Sequence, residues 1–236
     1  MGVKLIAHRG YAVHAPQNSL EAFEAAGRLG YWAIETDVHK TRDGVLVCNH
    51  DATVDHMFGS SGEICAMNWE ELSELRFREE RRNGSCRDEG MPTFRQYLEI
   101  CRRYQAVPFI ETKTMDVSEV LAQAFEYFEP EQVVLSSANM EHLRLARRYS
   151  DRVFIHHIFS DETSIRELAQ MKPAGVSLNY PDLDAFDSRW VGVVHGYGLK
   201  LCLRAGDSAQ QVERMKALGL DYIPTNCYLP ERITES

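Results

Sequence analysis

The feature that most constrains this chain is a regular alternation of short β-rich runs with helical patterns along most of its length. Repeated βα units of this kind stack around a parallel sheet. Eight runs are predicted as strands of that sheet, at residues 4–8, 32–38, 107–112, 132–136, 153–157, 174–178, 199–203 and 221–225. Eight parallel strands are what a closed barrel needs. We therefore predict an α/β fold of the TIM (β/α)8 barrel type, with all 236 residues in one domain.

The segments between the strands carry the apolar spacing of helices. Leu20 and Phe23 lie on one helical face. Asn18 and Ser19 predict the start of that helix because their side chains can cap it, and Gly30 predicts its end. Similar stripes predict helices at 94–101, 117–128 and 212–218. We expect these apolar faces to pack on the barrel.

An additional strand at residues 45–50 interrupts the βα rhythm. It follows the strand at 32–38 too closely for a helical crossover, so we predict an antiparallel return about Asp43 and Gly44. This pairing is expected to bring His50 opposite Glu35.

Residues 51–92 also depart from the βα rhythm and are predicted to form a small insertion after the third strand. A short apolar stripe at Trp69, Leu72 and Leu75 is followed by residues 76–90, which are dense in charges of both signs. Two interpretations are open. The segment is either a solvated loop with one covering helix or a lid over the functional site.

Carboxylates on two predicted strands indicate a metal site. Glu35 and Asp37 are two residues apart on a strand, so their side chains project from the same face. Glu111 supplies a third carboxylate from the strand at 107–112. Two like charges on one face of the barrel need a cation, and three oxygen donors without a thiolate favour one divalent cation, Mg²⁺ or Ca²⁺, over zinc. A surface or salt-bridged pair is the alternative for Glu35 and Asp37.

Two histidines and two cations complete the candidate site. His8 and His50 can divide the roles of general base and general acid, since a free imidazole has a pKa of about 6.5. Arg9 can donate two hydrogen bonds to phosphate oxygens, and Lys113 adds a positive charge from another strand. We predict a small-molecule phosphodiester as the substrate, with His8 and His50 catalytic and Arg9 and Lys113 binding it. In the alternative, Arg9 bridges Glu35 instead.

Six short motifs occur in a fixed order along the first half of the chain. They are His8-Arg9-Gly10, Pro16-Gln17-Asn18-Ser19, Glu35-x-Asp37-Val38, Thr41-x-Asp43-Gly44, Val47-x-x-His50-Asp51 and Glu111-x-Lys113. In this order and spacing they resemble the glycerophosphodiester phosphodiesterase family. The resemblance implies a barrel enzyme that hydrolyses glycerophosphodiesters to glycerol 3-phosphate and an alcohol. It also implies that the glycerol hydroxyl next to the ester attacks phosphorus first, giving a cyclic phosphate that water then opens.

The same resemblance implies roles for individual residues. It makes His8 and His50 the acid/base pair and Arg9 and Lys113 the phosphate contacts. The implied metal ligands are Glu35, Asp37 and Glu111. These are the same residues that the chemistry of the side chains singles out.

The chain departs from the family pattern at four positions. Gln17 replaces a usual Glu, Leu203 and Arg204 stand where a Trp-Thr pair is expected, and Asn226 replaces an Asp. We expect Leu203 and Arg204 to alter the wall that receives glycerol or the leaving alcohol. Arg204 is either a substrate-selecting cation or a solvated residue beside Asp207. The alternatives to the implied function are therefore a phosphodiesterase for another lipid or sugar phosphodiester and a non-catalytic barrel that binds phosphate esters.

Charge and composition exclude several partners. The chain has 26 basic and 35 acidic residues and a net charge of −9, which opposes binding to nucleic acid or to an anionic membrane. The amino terminus reaches polar residues too early for a signal peptide, and no apolar run is long enough to span a membrane. The six cysteines form no C-x-x-C pair. We expect a cytoplasmic protein without nucleic-acid partners or stable membrane association.

Five further histidines have no partner at a recognisable spacing. They are His14, His39, His56, His142 and His195. We predict that they lie on the surface, because a lone histidine is more often structural than functional.

Overall fold

The computed structural model describes residues 4–78, 88–178, 180 and 182–230. Its strands are β1 (Lys4–Ala7), β2 (Ala33–Lys40), β3 (Leu46–Cys48), β4 (Val107–Thr112), β5 (Val134–Ser137), β6 (Phe154–Ser160), β7 (Ala174–Leu178), β8 (Lys200–Cys202) and β9 (Tyr222–Thr225). Its α-helices are α1 (Leu20–Leu29), α2 (Trp69–Ser73), α3 (Phe94–Tyr104), α4 (Val117–Phe125), α5 (Met140–Tyr149), α6 (Glu162–Leu168), α7 (Arg189–Gly196) and α8 (Ala209–Leu218).

The strands form the predicted parallel barrel. Hydrogen-bonded neighbours follow the order β8-β7-β6-β5-β4-β2-β1-β9, and β3 pairs with β2 outside this path. A backbone hydrogen bond of 3.0 Å from Asp221 N to Leu201 O joins the two ends of the order. The TIM-barrel prediction is therefore confirmed.

Alternation along the strands separates two apolar layers. The inner layer fills the barrel with Ile6, Ala33, Phe109, Val134, Cys202 and Tyr222. The outer layer lies between the sheet and the helices, where Tyr97 of α3 packs edge-on against Phe23 at 5.0 Å between ring centroids. Full burial of such a side chain contributes about 1.5–3 kcal/mol. Among the described helices, none combines the length and apolarity needed to cross a membrane.

Helix α1 begins and ends where the sequence predicts. Ser19 Oγ accepts a hydrogen bond of 3.1 Å from Ala22 N at the start of the helix. Gly30 ends it with φ +77°, a left-handed conformation that glycine adopts without steric cost. The expected capping role of Asn18 is wrong, because its side chain faces β2 instead.

Strand β3 returns antiparallel to β2 as predicted, but its register differs from the expected one. The pairs are Val38 with Cys48, His39 with Val47 and Lys40 with Leu46. Continuing this register places His50 level with Thr36, so the expectation that His50 lies opposite Glu35 is wrong by one residue.

The described residues between β3 and α3 have an apolar core of their own. Its buried members are Val54, Met57, Phe58, Ile64, Leu72, Phe77 and Met91, which pack with Val47 of β3. The Glu89 carboxylate accepts hydrogen bonds from Leu20 N and Glu21 N, which joins this region to the start of α1. The solvated-loop interpretation is therefore wrong for the described residues. Residues 79–87 of the charged stretch lie outside them.

The surface prediction for the five lone histidines is wrong for His142, which is only 6% exposed. Its Nδ1 lies 2.9 Å from Ser137 Oγ at the end of β5. Each of the other four also has a polar partner, which the sequence analysis did not predict.

Candidate active site

Three carboxylates meet at the carboxyl ends of β2 and β4. Glu35 and Asp37 share the inward face of β2, and the parallel register pairs Asp37 with Glu111 of β4. One oxygen of each carboxylate lies within 4.8 Å of the others. The structure thus brings together the three residues that the sequence analysis assigns to a cation.

The electrostatics of this carboxylate cluster fit a bound cation. Burial raises the pKa of Glu35 well above its ordinary value, and the charges of Asp37 and Glu111 raise it further. Asp37 Oδ1 is buried and accepts no hydrogen bond, although Lys113 Nζ lies 3.1 Å away. Three clustered carboxylates form an all-oxygen set, which suits a hard divalent cation such as Mg²⁺ or Ca²⁺.

Asp37 is held in the charged form by its neighbours. Its burial by itself raises the pKa, but the charges of Lys113 and Arg9 and a hydrogen bond from Asn18 outweigh burial and lower it. Lys113 shows the reciprocal effect: burial lowers its pKa, and the charges of Asp37 and Glu111 raise it above the ordinary value. Lys113 Nζ also contacts Glu111 directly. Asp37 and Lys113 are therefore an ion pair within the candidate site.

Arg9 contacts both carboxylates of β2, but through different groups. Its backbone N donates to Glu35 Oε2 at 2.7 Å, and its Nε lies 3.4 Å from Asp37 Oδ2. The alternative in which the Arg9 side chain bridges Glu35 is therefore wrong in its geometry. Arg9 Nη1 donates to Gln17 Oε1 at 2.7 Å, and the buried Nε has no hydrogen-bond acceptor. The guanidinium is thus held between Gln17 and Asp37, beside the carboxylate cluster.

Asn18 is a site residue that the sequence analysis missed. Its Nδ2 donates to Asp37 Oδ2 at 3.0 Å, and its Oδ1 accepts from Thr36 Oγ1 at 2.8 Å. The motif around Pro16 carries Asn18, but local spacing indicates only a helix cap. Contact with β2 depends on how the loop after β1 folds back.

The two candidate catalytic histidines have different surroundings. His8 follows β1, and the distance between its Nδ1 and Asn226 Oδ1 is 2.8 Å. Burial and the positive charges of Arg9 and Arg204 lower the pKa of His8 to about 4, against the raising effect of the Asn226 hydrogen bond. His8 is therefore a neutral imidazole at neutral pH.

His50 is more exposed and faces an acidic partner. Its Nδ1 lies 2.7 Å from Asp51 Oδ1, and 36% of its side chain is exposed. The other oxygen of Asp51 lies 3.4 Å from His56 Nδ1. Asp51 thus fixes the orientation of the His50 ring, a role that the sequence analysis did not assign.

The residues that depart from the family pattern divide between the two faces of the barrel wall. Leu203 is fully buried in the outer layer, so the expectation that it lines the substrate wall is wrong. Cys202 faces the barrel interior. Because side chains alternate along a strand, the next residue, Leu203, is expected to face outward and the exposed Arg204 inward, so the sequence could have predicted the position of Leu203. Among the described ion pairs, none joins Arg204 to Asp207, which instead binds Asn226.

Comparison with known proteins shows the family of the chain. Residues 8–227 match the model of the glycerophosphoryl diester phosphodiesterase family. A glycerophosphodiester phosphodiesterase of Caldanaerobacter subterraneus is 29% identical over 236 residues, covering 96% of this chain and 95% of that protein. Glycerophosphodiester phosphodiesterase 1 of Mus musculus is 35% identical over 112 residues, which are 47% of this chain. The match covers 34% of the mouse protein, so the chain spans about one third of the length of such relatives.

A solved structure supports the fold. The Oleispira antarctica phosphodiesterase in complex with the product sn-glycerol-3-phosphate has a TM-score of 0.84 and 22% sequence identity. The alignment covers 94% of this chain and 92% of that one. At this level of identity the likeness shows a shared barrel.

Proposed function

Because this chain belongs to the glycerophosphoryl diester phosphodiesterase family, we propose that it hydrolyses glycerophosphodiesters to glycerol 3-phosphate and an alcohol. The observation that carries the proposal is the convergence of three groups of side chains at one barrel mouth. These are the carboxylate cluster, the cations Arg9 and Lys113, and the imidazoles of His8 and His50. Such a set can bind an anion and transfer protons on either side of it.

One divalent cation, Mg²⁺ or Ca²⁺, belongs to this proposal. Glu35, Asp37 and Glu111 are the residues that would hold it, since their oxygens lie within 4.8 Å of one another. When bound, the cation supplies positive charge that neutralises the diester and offsets the repulsion among the carboxylates. The raised pKa of Glu35 supports this, because a carboxyl that is costly to ionise alone ionises readily beside a cation.

Arg9 and Lys113 bind the phosphodiester in this proposal. The Arg9 guanidinium lies beside the carboxylate cluster, where its positive charge and forked donors suit a phosphate oxygen. Lys113 remains charged because its pKa is raised, although burial opposes this. Both cations stabilise the negative charge that grows on the phosphoryl oxygens as phosphorus is attacked.

His8 is the general base of the first step. It is neutral because burial lowers its pKa to about 4. Its Nδ1 is hydrogen-bonded to Asn226, which leaves Nε2 to accept a proton. His50 is the general acid in this proposal, and the Asp51 carboxylate at its Nδ1 fixes the orientation of its ring.

The proposed hydrolysis has two steps. A glycerol hydroxyl forms a bond to phosphorus and gives its proton to His8, while the ester bond to the alcohol breaks and the alcohol takes a proton from His50. Water then attacks the cyclic phosphate and gives a proton to His50, while His8 protonates the ring oxygen that leaves. The products are glycerol 3-phosphate and the alcohol, and both histidines return to their starting states.

The test uses the full chain with glycerophosphocholine or glycerophosphoethanolamine and Mg²⁺ or Ca²⁺, and it measures release of glycerol 3-phosphate. We expect His8→Ala and His50→Ala each to lower kcat by about 100-fold or more, and EDTA to abolish turnover. His14→Ala is the matched control, because His14 is exposed and its side chain hydrogen-bonds Glu21, away from the carboxylate cluster. Turnover that survives both substitutions or resists EDTA contradicts the proposal. Thermal stabilisation by the diester without product would identify a non-catalytic binder instead.

A second candidate keeps the reaction and changes the substrate. Arg204 is exposed after β8, it forms no ion pair among the described residues, and its charge lowers the pKa of His8. An unpaired cation beside the base favours a diester whose alcohol carries a negative charge. A panel of diesters with neutral, cationic and anionic alcohols distinguishes the two candidates.

A further inference from the structure

The amide of Asn226 determines which nitrogen of His8 carries the proton. An asparagine amide can offer an imidazole either its oxygen or its NH₂ group, with opposite consequences for the ring. Here Asn226 Nδ2 donates to Asp207 Oδ2 at 2.7 Å, so Oδ1 is the atom that faces His8 Nδ1 at 2.8 Å. His8 Nδ1 must then be the donor, and Nε2 is left without a proton.

Asp207 is itself fixed against the end of β9. Its Oδ1 accepts hydrogen bonds from Asn226 N at 2.7 Å and from Thr225 Oγ1 at 3.1 Å. The preceding Gly206 donates from its backbone N to Pro224 O at 2.9 Å. A Cβ at Gly206 would lie 2.6 Å from Ile223 Cγ2, so a larger residue cannot approach as closely. The carboxylate is therefore anchored before it meets the Asn226 amide.

We propose that Asp207 is a positioning residue for the phosphodiesterase reaction, which holds the Asn226 amide so that His8 keeps its Nδ1–H tautomer and offers Nε2 as the base. The inference rests on the proposed function, because it takes His8 as the general base. Asp207 lies one hydrogen bond beyond the residue that touches His8. Its negative charge thus takes the place of the Asp that the resemblance leads one to expect at position 226.

The other charged groups near His8 cannot hold the Asn226 amide in this orientation. Arg9 and Arg204 are cations that oppose protonation of the ring, and Asp37 is engaged by Arg9, Lys113 and Asn18. In Asp207→Asn the one remaining side-chain oxygen is taken by Asn226 N and Thr225 Oγ1, and among the described contacts no other acceptor holds the Asn226 NH₂ group. The amide can then turn and donate to Nδ1, which moves the ring proton to Nε2 and removes the base.

The test reads the tautomer directly by ¹⁵N NMR of histidine-labelled protein at pH 7, with His8→Gln identifying the His8 signals. We expect the Nδ1–H form in the unsubstituted chain and a large Nε2–H fraction in Asp207→Asn. We also expect kcat for glycerophosphocholine to fall by about 10-fold in Asp207→Asn with KM little changed, as for other residues that orient a catalytic group. Asp184→Asn is the matched control, since it removes an equal charge from an exposed pair with Arg214.

A rescue experiment separates positioning from stability. In the double variant Asp207→Asn with Asn226→Asp, the new carboxylate accepts directly from His8 Nδ1, so the Nδ1–H form and most of kcat should return. An Nε2–H form of His8 in the unsubstituted chain overturns the inference even if the variants fail to fold. So does an Asp207→Asn protein whose tautomer and kcat match those of Asp184→Asn. Retained activity in His8→Gln would instead overturn the proposed function.

Discussion

At the scale of single residues, Asn18 connects the first loop to the carboxylate cluster. It adopts φ +55°, a left-handed conformation that asparagine tolerates better than most residues. It is 2% exposed, and its amide satisfies both Thr36 Oγ1 and Asp37 Oδ2. Removing the amide deletes the hydrogen bond that each of these two buried side chains makes with Asn18.

Asn18→Ala should therefore lower the free energy of unfolding by about 2–4 kcal/mol, from the lost hydrogen bonds and backbone strain. Urea unfolding followed by circular dichroism measures this loss. Asn139→Ala is the control, because Asn139 caps an exposed helix start through one hydrogen bond to Glu141 N. We expect the control to lose only about 1 kcal/mol. Equal losses in the two variants would contradict the role of Asn18.

Arg204 allows a residue-scale prediction about substrate choice. Arg204→Gln should lower kcat/KM for glycerophosphoserine, whose alcohol carries a carboxylate, by about 5–10-fold relative to glycerophosphocholine, because an exposed charge pair is worth about 1 kcal/mol. The ratio of the two kcat/KM values is the measurement. Arg102→Gln, near the opposite end of the barrel, is the control and should leave the ratio unchanged. An unchanged ratio in Arg204→Gln would mean that Arg204 is only a solvated loop residue.

At the scale of elements, the segment between β3 and α3 supports the site from outside the barrel. Phe58 and Phe77 stack at 4.8 Å between ring centroids within the core of this segment. The adjacent Met57 Sδ accepts a hydrogen bond of 3.4 Å from Gln17 Nε2, and Gln17 Oε1 accepts one from Arg9. A packed segment can thus hold the guanidinium in place, which a solvated loop cannot do.

Phe58→Ala should cost about 3–5 kcal/mol of stability, the usual result of emptying a buried aromatic site. It should also raise KM for the diester several-fold, because Met57 and Gln17 no longer fix Arg9. Urea unfolding and steady-state kinetics measure the two effects. Phe125→Ala, which disrupts a ring pair with Tyr149 on the outer helices, is the control and should leave KM unchanged. A normal KM in folded Phe58→Ala protein would contradict a supporting role.

At the scale of the whole molecule, the barrel interior contains a histidine that the proposed mechanism does not use. His156 is 2% exposed, its Nδ1 lies 2.7 Å from Tyr222 Oη, and its ring meets Phe109 edge-on. Burial, and then the charge of His157, lower the pKa of His156 to about 3. The native barrel therefore contains a neutral ring that becomes protonated readily only after unfolding.

Because of this buried neutral ring, we expect the free energy of unfolding to fall as the solution becomes more acidic. Between pH 6.5 and about 3 the unfolded chain binds a proton at His156 that the native chain does not, so stability falls as the pH falls. By pH 4 the loss from this group is about 3 kcal/mol. In His156→Gln the new side chain keeps a hydrogen-bond partner for Tyr222. The free energy of unfolding of this variant, measured with urea, should fall by about 3 kcal/mol less between pH 7 and pH 4 than that of the unsubstituted chain. His14→Gln, with an exposed ring, should decline as the unsubstituted chain does.

The order of the βα units, the start and end of α1 and the shared face of Glu35 and Asp37 follow from the amino-acid order alone, because each depends on spacing along a single helix or strand. Which distant groups satisfy one another depends on the folded barrel. His8 and Asn226 are 218 positions apart, and only closure of the barrel between β1 and β9 places their side chains in contact. Three further features have the same origin: the Asn18 contact with Asp37, the position of His50 opposite Thr36 instead of Glu35, and the packed segment before α3. Each depends on how loops fold back on the barrel. Hydrogen bonds and burial between residues far apart in the sequence produce no periodic pattern along the chain, so spacing does not predict them.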